Sequence, residues 1–171
     1  MIKQKSMNLY ILRHGLAVEA GTEGYDKDAD RPLTAKGERK LHLIADAMEE
    51  LDLELDLILS SPYKRARQTA EIVADVLKVK MELTSTLEPG GSSSELIQLI
   101  GKTKPSAEGV MVVGHEPYLS GLISLLISGS TNLPIVMRKA GLCKLSTDSL
   151  KHGRCAALEW LLTPKQMRLM V

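Results

Sequence analysis

Three short apolar runs, each followed at once by histidine or arginine, constrain this chain most. Leu9-Tyr10-Ile11-Leu12 runs into Arg13-His14-Gly15, and Leu57-Ile58-Leu59-Ser60 into Ser61-Pro62-Tyr63-Lys64-Arg65. Val110-Met111-Val112-Val113 runs into Gly114-His115-Glu116-Pro117. Runs of three or four apolar residues are too short for helices and read as strands buried on both faces, the pattern of a parallel sheet. Parallel strands open into loops at their C-terminal ends, where ligands bind in open α/β sheets. If the three are neighbours, two imidazoles and at least two guanidiniums meet in one pocket.

Such a set suits one kind of chemistry. Guanidinium forks match phosphate oxygens and keep their charge at any working pH. A neutral imidazole is a competent nucleophile toward phosphorus, and a second imidazole can hydrogen-bond the phosphoryl group or move a proton. Phosphoryl transfer through a phosphohistidine follows, with fixed cations on the equatorial oxygens.

The blocks Arg13-His14-Gly15, Arg31-Pro32-Leu33-Thr34-x-x-Gly37, Ser61-Pro62-x-x-Arg65-Ala66-x-Gln68-Thr69 and Gly114-His115-x-Pro117 resemble the signature of the histidine phosphatase superfamily, the phosphoglycerate mutase-like enzymes. The resemblance spans about residues 7–165 and is greatest to the short SixA-type phosphohistidine phosphatases. It implies a three-layer α/β/α sandwich with a mainly parallel central sheet. His14 would be the nucleophile, with Arg13, Arg65 and His115 on the phosphoryl oxygens and Arg31 and Gly15 as further substrate contacts. Larger members carry a lid domain between the positions of Arg65 and His115, and a glutamate there that protonates the leaving oxygen. Residues 66–114 leave no room for a lid, and Pro89 stands where that glutamate aligns, so the neighbouring Glu88 is the candidate acid. The implied activity is dephosphorylation of phosphohistidine in a signalling protein such as a phosphotransfer domain. Rival readings are a small-molecule phosphomonoesterase, a phosphoglycerate mutase-like enzyme and a non-catalytic phosphoprotein-binding module.

The rest of the chain agrees. At 171 residues, with 44% hydrophobic residues, it fits one domain over 1–171, residues 1–7 forming a flexible polar extension. A net charge of +1 and 3% aromatic residues argue against a nucleic-acid partner. No stretch reads as a signal peptide or membrane span, and the two cysteines lack metal or redox spacing, so a cytoplasmic protein is expected. Neither metal nor other cofactor is expected: no ligand motif accompanies the histidines, and Arg13 and Arg65 would repel a divalent cation. The apolar stripe Leu41, Ile44, Ala45, Met48 and Leu51 predicts an amphipathic helix over 35–51, with Thr34 as its cap and His42 on its wet face. Ser61-Pro62 reads as a helix cap followed by proline, placing Arg65 in a first helical turn. Strands are expected at Val79–Leu83, Ile135–Leu145 and Cys155–Leu162, a helix from Ser92 to about Gly101, and surface positions for Lys64, Arg67 and His152.

Overall fold

A computed structural model describes residues 6–171. Six strands form one sheet in the order β3-β2-β4-β1-β5-β6. They are β1 (Met7–Arg13), β2 (Leu57–Ser60), β3 (Met81–Leu83), β4 (Gly109–Gly114), β5 (Leu142–Thr147) and β6 (Ala157–Leu162). β1, β4, β2 and β3 pair in parallel, while β5 runs antiparallel to β1 and β6 antiparallel to β5. Every residue of β2 and β4 is buried, which is why their sequences are unbroken apolar runs.

The helices are α1 (Ala35–Glu50), α2 (Lys64–Leu77), α3 (Ser93–Thr103), α4 (Tyr118–Ser128) and the short α5 (Pro164–Met167). On one face, Tyr10, Leu12, Ile58, Met111 and Val113 pack against Leu41, Ile44 and Met48 of α1 and Ala66, Ala70 and Val73 of α2. On the other, Leu9, Ile11, Leu57, Leu59, Val110 and Val112 pack against Leu96 and Ile100 of α3 and Leu119, Leu122 and Leu126 of α4. The result is the expected three-layer α/β fold with a mainly parallel sheet. The stretch between Arg65 and His115 contains only the rest of α2, β3, a single 3-10 turn, α3 and β4, with no lid. Among the described residues no helix is long and apolar enough to cross a membrane.

Four expectations need correction. The N-terminal extension was expected to reach residue 7, but Met7 is the first residue of β1 and pairs with Thr147; residues 1–5 lie outside the described part. Ser61 does not cap α2, which starts at Lys64 after Tyr63. The strand expected over Ile135–Leu145 begins only at Leu142, because Ala140 adopts φ +61° and donates its N–H to the carbonyls of Arg13 and His14, both at 3.0 Å. That left-handed residue turns 135–141 into a loop braced on the end of β1. The strand expected from Val79 is reduced to Met81–Leu83 at the sheet edge.

Candidate active site

Register brings the three loops together. Arg13 pairs with Gly114, and Ser60 with Val113, so β1, β4 and β2 end at the same level. Beyond the strands the His14 N–H donates to the Gly114 carbonyl at 3.1 Å, and the Ser61 N–H to the Val113 carbonyl at 3.0 Å. His14 and His115 therefore leave adjacent strand ends, and their rings stand 5.2 Å apart. Arg65 sits in the first turn of α2, buried at 4% exposure. A cavity of about 330 Å³ is lined by Arg13, His14, Asp28, Arg31, Arg65 and His115, with Ala17, Pro89, Glu116 and Lys139 completing it.

The state of His14 follows from its contacts. Its Nδ1 lies 2.8 Å from the Gly15 carbonyl, which can only accept, so Nδ1 carries the proton and Nε2 the lone pair. The Arg65 Nε–H points at that lone pair from 3.3 Å. Burial pushes the His14 pKa from 6.5 to about 3; the Gly15 bond opposes this, and His115, Arg65 and Arg13 add to it. Burial, then Arg65, pushes His115 down to about 4. Both rings meet a substrate neutral.

Gly15 is needed at its position because a Cβ there would come within 2.5 Å of Leu41 Cδ1. It is not part of the cavity lining, and its carbonyl accepts from His14 Nδ1.

Arg13 donates Nη1 to the Met137 carbonyl at 2.7 Å, while its buried Nε has no protein partner. Burial lowers the pKa of its guanidinium against the pull of Glu116. His115 Nδ1 is likewise buried without a partner. Unpartnered buried polar groups cost 1 to 3 kcal/mol or so each, and here both sit on side chains lining one cavity.

Sequence reasoning missed Asp28. It lies in a short 3-10 turn (Asp28–Asp30) and bonds both remaining arginines. Arg65 donates Nη2 to its carboxylate at 2.9 Å and Nη1 to its carbonyl at 2.8 Å, and Arg31 donates Nε to its other carboxylate oxygen at 2.8 Å. Partial burial would raise the Asp28 pKa, but the bonds from Arg31 and Arg65 outweigh it and leave the carboxyl below its usual value. Arg31 thus faces the cavity. The Asp28-x-x-Arg31 spacing, one helical turn, was the available signal.

Pro89, not Glu88, lines the cavity. Besides Asp28, the carboxylate that does so is Glu116, whose Oε1 accepts the Ser120 N–H at 2.8 Å in the first turn of α4. As expected, His42, His152, Lys64 and Arg67 are exposed, and Cys143 and Cys155 are free thiols. Trp160 is half-buried, its ring 6.3 Å from that of Tyr10. No cluster of three or more metal-ligating side chains occurs among the described residues.

The model of the histidine phosphatase superfamily (branch 1) matches residues 9–88, the part holding His14, Arg31 and Arg65. Phosphohistidine phosphatase SixA of Escherichia coli (strain K12) is 29% identical over 170 residues, 95% of this chain and 98% of the relative. A structure of the protein histidine phosphatase SixA complexed with tungstate superposes with TM-score 0.80 at 27% identity, over 93% of this chain and 98% of that one. The chain belongs to the histidine phosphatase superfamily. Within it the chain is SixA-like, and the similarity runs through His115, beyond the stretch that the family model covers. An uncharacterized protein of Picosynechococcus sp. (strain ATCC 27264 / PCC 7002 / PR-6) is 35% identical over 147 residues, 85% of this chain and 88% of the relative.

Proposed function

We propose that this chain is a metal-independent phosphatase that works through a phosphohistidine on His14 and acts on phosphohistidine carried by another protein. The observation that carries the reading is the pairing of an unprotonated Nε2 on His14, approached by the Arg65 Nε–H, with unpartnered buried nitrogens on Arg13 and His115 in one cavity. His14 Nε2 attacks phosphorus in line, and the bond to the leaving group breaks with its electron pair on that group. The Nδ1–H bond to the Gly15 carbonyl stabilises the positive charge that the ring acquires on phosphorylation. Water then attacks phosphorus, the P–Nε2 bond breaks, and its electron pair returns to His14. Arg13, Arg65 and His115 hold the phosphoryl oxygens throughout, with Arg31 beside them.

The substrate class rests on the leaving group. An alkoxide needs a proton from the enzyme; Pro89 has none to give, and the cavity's two carboxylates are engaged, Asp28 by Arg31 and Arg65 and Glu116 by the Ser120 N–H. A phosphohistidine protonates from solvent on its free ring nitrogen and leaves as neutral imidazole. The lidless mouth suits a side chain still attached to a folded protein, and relatives named as SixA phosphatases support the same substrate. The two free cysteines fit a reaction in the cytoplasm. One observation favours a second reading, a phosphomonoesterase for small molecules. A cavity of about 410 Å³ that includes Ser93, Tyr118 and Leu122 adjoins the catalytic one and shares Pro89 and Glu116 with it, room for a small leaving group.

Brief mixing with labelled phosphohistidine protein should leave an acid-labile, base-stable label on His14, and His14→Ala should lose both label and turnover. Undiminished turnover in that variant would end the mechanism. A sugar phosphate hydrolysed as well as the phosphohistidine protein, with a large loss in Glu116→Gln, would make the second reading the right one.

A further inference from the structure

Ser61 follows the last residue of β2 and is fully buried, with 0% exposure. Its backbone N–H bonds the Val113 carbonyl, and its carbonyl accepts the Ser60 hydroxyl at 3.0 Å. The Ser61 hydroxyl oxygen accepts the Tyr63 N–H at 3.2 Å and lies 2.9 Å from His115 Nε2.

A serine hydroxyl has one proton to give. If His115 donated from Nε2, the Ser61 oxygen would accept twice and its buried proton would have no acceptor. His115 Nδ1 would then present a lone pair to the anionic phosphoryl group. If Ser61 donates to Nε2, the hydroxyl is satisfied both ways and the His115 proton sits on Nδ1, the nitrogen without a protein partner. Only the second arrangement leaves a donor for the substrate.

We propose that Ser61 is a positioning residue that holds neutral His115 in the tautomer protonated on Nδ1, so that His115 donates a hydrogen bond to a phosphoryl oxygen without carrying charge. This rests on the phosphoryl reading of the cavity. The surroundings agree: burial first, then Arg65, with Arg13 and Arg31, disfavour a charged His115 against the pull of Asp28. The Tyr63 ring, edge-on at 5.3 Å, packs against the imidazole. With the ring neutral, the tautomer decides whether it attracts or repels a substrate oxygen. Gly15 does the complementary service for His14: a backbone acceptor fixes the proton on Nδ1 and frees Nε2 to attack.

The test reads the tautomer directly. Imidazole ¹⁵N shifts of the wild-type protein at pH 7, assigned to His115 by comparison with His115→Ala, should show a protonated Nδ1 and an unprotonated Nε2. In Ser61→Ala part of the signal should move to the Nε2–H form. kcat/KM for an aryl phosphate should fall about tenfold, with a similar weakening of inhibition by inorganic phosphate, the loss of about one hydrogen bond. Ser61→Thr, which keeps the hydroxyl, should restore the wild-type spectrum and part of the rate. Nε2–H as the main form in the wild type overturns the proposal, and this measurement needs no variant of Ser61. So does a Ser61→Ala protein with wild-type spectrum and rate. The expected tautomer in a protein whose His14 never labels would instead count against the phosphoryl reading and not against the Ser61 contact.

Discussion

Burying two neutral imidazoles should make the stability of this protein fall steeply with mild acid. In the unfolded chain both rings titrate near 6.5. In the folded protein burial, and then the neighbouring cations, hold His14 at about 3 and His115 at about 4. Below pH 6.5 the unfolded state therefore binds protons that the folded state refuses, and stability drops as pH falls toward the folded values. Between pH 7 and pH 5 each unfolded ring gains about 0.7 of a proton while each folded ring stays largely neutral. Integration over that interval gives about 2 kcal/mol per ring, about 4 kcal/mol together, against a typical total of roughly 5–15 kcal/mol. Asp28, whose carboxyl is held below its usual value by Arg31 and Arg65 against the effect of burial, stays ionised across this window and adds nothing to it. Urea unfolding at pH 7, 6 and 5 of the wild type, the two single variants His14→Asn and His115→Asn, and their double variant measures the effect. The double variant should be flatter than wild type by about 4 kcal/mol across the interval, and each single by about half. The same pH slope in wild type and double variant would refute the claim that the two rings are held neutral by the fold.

Arg65→Ala should lower kcat about 10²-fold or more, and Arg65→Lys should recover little, because an ammonium cannot hold Asp28 through two nitrogens and still reach His14 Nε2; a near-wild-type lysine variant would mean that Arg65 is structural. Asp28→Asn keeps an acceptor but removes the charge between Arg31 and Arg65. Because Asp28 is half exposed, KM for an aryl phosphate should change only several-fold, on the scale of a solvated ion pair, while the His14 label survives. Thr69→Val removes the acceptor of the Gly15 N–H and the donor to the Arg65 carbonyl, so it should cost about 1–3 kcal/mol in urea unfolding and lower kcat/KM together with stability.

What was legible in the sequence is what burial writes into it. β2 and β4 are covered on both faces, so each reads as an apolar run, and the histidines and arginines that follow them mark the open end of the sheet. The stripe of α1 is as clear because only one side is covered, with Leu41, Ile44, Ala45 and Met48 inside and His42, Asp46 and Glu49 outside. The misses are set by contacts distant in sequence. Ile135, Val136 and Met137 resemble a strand, yet the two hydrogen bonds from Ala140 to the end of β1 fold them into a loop whose Met137 carbonyl holds Arg13. Ser61-Pro62 has the local form of a helix start, but the Ser61 hydroxyl is turned to His115, 54 positions away in sequence. Asp28 belongs to a polar loop where only its spacing from Arg31 sets it apart from its acidic neighbours; its second partner, Arg65, lies 37 positions on.

The signature blocks contain more residues than the chemistry uses, and the structure accounts for the surplus. Gln68 accepts the Leu33 N–H at 2.8 Å, tying the Arg31 loop to α2. Thr69 accepts the Gly15 N–H at 3.0 Å and donates to the Arg65 carbonyl at 2.7 Å, tying the nucleophile loop to the same helix. Thr34 accepts the Gly37 N–H and donates its own N–H to the Leu16 carbonyl, which lies where a Cβ on Gly37 would have to be. Each tie removes freedom from a loop that carries a site residue, and ordering one backbone residue costs about 1–2 kcal/mol. On the phosphohistidine reading proposed above, that cost is met during folding, so less of it remains to be met when a phosphoryl group enters. The same logic explains why the unpartnered nitrogens sit on Arg13 and His115. Both are anchored at their other nitrogens, to the Met137 carbonyl and to Ser61, so neither side chain can turn away to find a partner within the protein.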